Sequence, residues 1–105
     1  MLLYKKTLWH KSLETFQSVK TQGIIKDNND IANLAGFSAE LQRTLFNKES
    51  CPVEGMPVEV GSLEFTMARM DAYRAVCLNN KIKDRQRMNV IADFGIALQK
   101  NIFLK

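Results

Sequence analysis

Gln42 and Arg43 are the residues of this chain best equipped for recognition chemistry. A guanidinium held in place can donate two parallel hydrogen bonds to the edge of guanine, and a carboxamide can do the same for adenine. Ser38 lies one helical turn before Gln42, within the same reach. Thr44, Asn47 and Lys48 follow, of types that contact phosphate oxygens. Asn28 and Asn29 stand where a helix is expected to begin, and helix N-termini suit phosphate. These eight residues are the candidate contacts to duplex DNA. Glu40 is the awkward neighbour. Its carboxylate is repelled by phosphates, and it fits either as an acceptor from cytosine or as an acid at a helix start.

The elements that must position these residues are read from spacing. Ile31, Leu34 and Ala35 predict a short helix opened by the turn cluster Asp27-Asn28-Asn29. Gly36 predicts its stop, because a turn there needs positive φ. Ser38 then caps a second helix that buries Leu41 and Leu45, with Phe37 beside them. A helix, a glycine turn and a second helix together make the order of a helix-turn-helix. The run Asp30-Ile31-Ala32-Asn33-Leu34-Ala35-Gly36-Phe37-Ser38 resembles the start of the DNA-binding headpiece in the LacI repressor family. It is also similar to the AraC family, where Gly-Phe-Ser is common at this turn. The resemblance covers residues 30–48 only. It implies a second helix that reads sequence and nothing about effectors. The alternative reading of the same residues is a plain helical corner, with Gly36 ending one helix and Ser38 starting the next.

The remaining segments predict helices. Trp9, Leu13, Phe16 and Lys20 form one stripe, widened by Leu8 and Val19, with Thr7 as cap and Gly23 as stop. Trp9 reads as a core anchor. Leu63, Met67, Met70, Arg74 and Cys77 trace a stripe of a helix capped by Ser62, roughly Leu63 to Leu78. Met88, Ile91, Gly95, Leu98 and Ile102 trace another, from about Ile82 to Phe103, with Val90, Phe94 and Ala97 as a second apolar face. A helix apolar on two faces usually has two neighbours, one of them here a second copy of the chain. Gly95 offers a place for close approach. Met56, Met67, Met70 and Met88 read as core filling, with a pliable binding surface as the alternative. Both prolines fall between Glu49 and Gly61, so no helix crosses there. That stretch is expected to be a packed loop, or a short strand over Val58-Glu59-Val60.

At 105 residues the chain is one domain. The expected architecture is all-α with about five helices. Residues 1–48 form a helical unit holding the corner, 49–61 a loop, and 62–105 an antiparallel helical hairpin. The net charge of +4 permits a polyanionic partner. Basic residues concentrate before residue 49 and after residue 73. The cluster Lys81-Ile82-Lys83-Asp84-Arg85-Gln86-Arg87 reads as a solvated hairpin tip or a phosphate-binding patch.

Two cysteines and one histidine, with no Cys-x-x-Cys pair, do not make a zinc site. Cys77 falls on an apolar stripe and reads as inert; Cys51, before a proline, reads as exposed and has no neighbouring base. No cofactor motif and no gathering of general acids and bases is visible, so an enzyme is not expected. The start of the chain does not read as a signal peptide, and no apolar run is long enough to span a membrane. A cytoplasmic protein is expected. Two functions fit. One is a small DNA-binding regulator of transcription, homodimeric through the hairpin. The other is a protein-binding module without a nucleic-acid role: an inhibitor, an adaptor or an assembly subunit of the kind phages and mobile elements encode.

Overall fold

The computed structural model of the chain describes residues 1–25, 27–46 and 57–103. Four helices dominate: α1 (Lys5–Thr21), α2 (Asn28–Phe46), α3 (Ser62–Asn79) and α4 (Arg85–Phe103). Two short strands, β1 (Leu2–Leu3) and β2 (Val58–Glu59), pair antiparallel with Leu2 opposite Glu59 and Leu3 opposite Val58. The all-α expectation holds, with four helices in place of about five and Val58–Glu59 a strand in place of a loop. Asn47, Lys48, Cys51 and Met56 lie outside the described residues.

The missing fifth helix is explained at Gly36. The expected helix-turn-helix corner does not form there: α2 runs unbroken from Asn28 to Phe46. Among the described glycines only Gly23 has positive φ, so Gly36 makes no turn. The apolar repeat decides it. Leu34, Phe37, Leu41 and Leu45 are all buried at helical intervals that pass straight through the glycine. A mid-helix glycine costs about 1 kcal/mol relative to alanine. Burying side chains of this size returns about 1.5–3 kcal/mol each, so the helix continues. Asp27 closes its start, where the Asn29 N–H donates to Asp27 Oδ1 at 2.8 Å.

Helix faces carry two more corrections. In α3 the stripe Leu63, Met67, Met70 faces solvent, with Met67 60% and Leu78 77% exposed. The buried face is instead Phe65, Ala68, Ala72 and Val76. Small residues win because they let α2 and α3 come close: a Cβ added at Gly36 would touch Val76 Cγ2 at 3.9 Å. In α1 the buried residues are Leu8, Ser12 and Thr15, whereas Trp9 and Leu13 are exposed. Its start is at Lys5, with no side-chain cap, so Thr7 lies inside the helix.

In α4 the expected stripe residues Ile91, Gly95, Leu98 and Ile102 are buried, Met88 only partly, and Phe94, expected on a second face with Val90 and Ala97, is buried with them. The helix starts at Arg85, where the Gln86 N–H donates to Asp84 Oδ1 at 2.9 Å. Close approach at Gly95 comes from within the chain. A Cβ there would stand 2.9 Å from Arg69 Cγ and from Phe37 Cζ. Phe37 and Phe94 meet edge to face, centroids 5.9 Å apart, and anchor the common core.

Candidate binding groove and polar cleft

α2 packs against the other three helices. One side packs on α3, its most extensive partner, and it meets α1 far less. The thin α1–α2 seam leaves a groove of about 330 Å³. Trp9, Ser12, Leu13 and Phe16 of α1 form one wall. Ile31, Leu34, Ala35, Ser38, Ala39 and Gln42 of α2 form the other, and Phe94 of α4 closes the bottom. The α2 residues recur at the intervals that keep one helix face in line. From Ile31 to Gln42 that face is about 16 Å long.

The groove is apolar with a few polar points. Ser12 Oγ is buried and has no hydrogen-bond partner among the described residues. Trp9 is 51% exposed and stands edge-on to His10, ring centroids 5.4 Å apart. Helical spacing carries the α1 stripe outward from the wall to Lys5 at one end and Lys20 at the other. Among the described residues no carboxylate lines the groove.

The expected DNA contacts are divided by this arrangement. Ser38 and Gln42 line the groove. Arg43 is exposed and forms an ion pair with Glu40, one turn back on the same helix. The Thr44 hydroxyl donates to the Glu40 carbonyl at 2.8 Å. Asn28 and Asn29 lie at the far end of α2, and Asn29 lines a different depression.

That second depression is polar, about 570 Å³, between the first turns of α2 and the α3–α4 turn. Asn29 and Asn33 from α2, Asn80, Lys81, Lys83 and the carboxylate of Asp84 from the turn, and Arg87 from α4 line it. Asn80 Nδ2 donates to Asn33 Oδ1 at 2.9 Å. Arg87 reaches Asp27 Oδ2 at 3.1 Å and Asp84 Oδ2 at 3.9 Å.

No family model, curated protein or solved structure matches this chain.

Burial pushes the Cys77 thiol up from its ordinary range, and the neighbouring Tyr73 phenol likewise. A thiol held protonated is a poor nucleophile. Glu14 is held below the usual carboxylate range, chiefly by the Asn101 amide, whose Nδ2 donates to its Oε2 at 3.2 Å, and by Lys11. That pair ties α1 to α4 and faces neither depression. No helix among the described residues is long and apolar enough to cross a membrane.

The groove was open to discovery from the sequence through the spacing of Ile31, Leu34, Ala35, Ser38, Ala39 and Gln42. Treating Gly36 as a stop broke that stripe in two. Asn33 and Asn80 carried no local signal, since they meet only across 47 residues.

Proposed function

We propose that this chain is a protein-binding module whose α1–α2 groove receives the apolar edge of an amphipathic helix from a partner protein. The observation that carries the reading is the open seam itself. Trp9, Leu13 and Phe16 stand along it facing Ile31, Leu34 and Ala35, a spacing matched to partner residues at i, i+3, i+4 and i+7. The occupant carries acidic flanks. Lys5 and Lys20 extend the α1 wall at either end, and among the described residues no carboxylate opposes them across it. Duplex reading, the expectation drawn from residues 30–48, has lost its protruding second helix and is the weaker proposal.

Trp9 is the only tryptophan of the chain, so it reports occupancy. A synthetic helical peptide with leucines at those intervals and glutamate flanks is expected to shift Trp9 emission to the blue and saturate. The same peptide with lysine flanks should bind more weakly, and Leu13→Glu should abolish the response. Unmoved emission with the glutamate peptide overturns the groove reading. Retardation of duplex DNA that fades with salt and is reduced by Arg43→Ala would restore the regulator reading.

A second reading concerns a second copy of the chain, and the outer face of α3 favours it. Leu63, Met67, Met70 and Leu78 are exposed along one side. Antiparallel pairing of two such helices about Met70 sets Leu63 against the other copy's Leu78. It also brings Arg74 within reach of the other copy's Glu64 and Asp71, so the face complements itself. Sedimentation should show a monomer–dimer equilibrium that Met67→Glu moves to monomer; a monomer at every concentration removes the dimer.

A further inference from the structure

The polar cleft is lined by a lysine in an uncommon backbone conformation. α1 and α3 end in the same kind of turn. At the end of α1, Gly23 N–H donates to Lys20 O and Ile24 N–H to Val19 O, and Gly23 takes φ 76°. At the end of α3, Lys81 N–H donates to Leu78 O and Ile82 N–H to Cys77 O, and Lys81 takes φ 53°. Glycine is the residue that reaches this left-handed region without steric cost. A lysine there carries some strain, held in place by the two hydrogen bonds that close α3.

The acids around Lys81, Asp27 and Asp84, already have partners. Asp27 gives one oxygen to the start of α2 and the other to Arg87. Asp84 gives one oxygen to the start of α4 and faces Arg87 with the other. Both carboxylates are engaged. Lys81 and Lys83 have no ion pair among the described residues. Asn33 is only 7% exposed. Its Oδ1 accepts from Asn80, and its own amide NH₂ donates to no described residue. That nitrogen is not one of the buried atoms without a partner, so it opens on the cleft and is free to donate there.

We propose that this cleft binds the phosphoryl group of a small phosphorylated ligand. Lys81 and Lys83 supply charge, the Asn33 amide supplies directed donors from the cleft wall, and Asn29 and Arg87 frame the entrance. The site is concave and its most directional donor is almost wholly buried. A small ligand fits a depression of this size.

Titration of the ¹⁵N-labelled chain with inorganic phosphate, pyrophosphate and a nucleoside monophosphate tests it. The Asn33 and Asn80 side-chain amide signals are expected to shift and saturate with at least one of the three. Lys83→Gln should weaken that binding about tenfold, the effect of one charge-assisted hydrogen bond. Lys81→Gly should weaken it too while raising the melting temperature, because it relieves the left-handed strain. Absence of saturable shifts at millimolar ligand overturns the proposal. So does a Lys81→Gly variant that binds as well as the parent, and so does a response spread over every surface lysine. Shifts with a DNA duplex that leave Asn33 unmoved would assign the basic turn to nucleic acid and overturn it as well. Trp9 lies outside the cleft and should not respond, so this outcome is separate from that of the groove.

Discussion

α2 meets α3 on one side and α1 on the other, and the two seams are built from different materials. The α2–α3 seam uses small residues, Gly36, Ala68 and Ala72, and closes tightly around Val76. The α1–α2 seam uses large ones, Trp9, Leu13 and Phe16, and stays open. Two mid-helix glycines make the contrast sharper. Gly36 has room for a methyl group; Gly95 has none. Bulk alone does not close a seam. Two helices pack closely where side chains are small enough for backbones to approach, and large residues without that geometry stand half out of the core.

Replacing Phe37 by alanine should have the largest effect, because its ring is fully buried and meets Phe94. The expected loss is about 3–5 kcal/mol in a urea titration, whereas Leu13→Ala in the open seam should change stability by about 0.5 kcal/mol or less. Equal losses at the two positions would erase the distinction between the seams. Gly95→Ala should destabilise by about 1–3 kcal/mol by thermal melting, since the new methyl meets the buried ring of Phe37. Gly36→Ala should do the reverse and stabilise by about 0.5–1 kcal/mol. A destabilised Gly36→Ala would mean a left-handed turn at that residue after all, and with it the helix-turn-helix.

The smallest effect concerns acid. Glu14 is held below its ordinary range by Asn101 and Lys11. A group with a lowered folded pKa contributes stability that is present above its unfolded value and fades as pH falls through the folded one. The chain should therefore lose stability on acidification through the carboxylate range. Glu14→Gln should flatten part of that slope, read as the melting temperature at neutral and at acid pH.

Much of the fold was legible. The α4 stripe from Ile91 to Ile102, the stop at Gly23 and the helical character of every long segment follow from periodicity and turn chemistry. Which face is buried did not follow for α1 or α3. Hydropathy ranks Leu63 and Met67 above Ala68 and Ala72, but close helix contact ranks them the other way. Gly36 misled for a related reason: Gly-Phe-Ser has the composition of a corner, and only the buried partners of Phe37 show that the helix gains by continuing. For the sites, Ser38 and Gln42 were singled out as recognition residues and do line a groove, though one of a different kind. Asn29 and the Lys81–Arg87 cluster were each noted as suited to phosphate. Their convergence on one cleft is a matter of topology, which no local pattern carries.

Arg87 has one more consequence. It holds Asp27, before α2, and Asp84, before α4, with a single guanidinium, while α4 also lies along α1 and α3. The α3–α4 turn, with Lys81, Lys83 and Arg85 all exposed to a protease, is therefore not what keeps α4 in place. A chain nicked at that turn should survive as two fragments that remain associated and, once separated, find each other again.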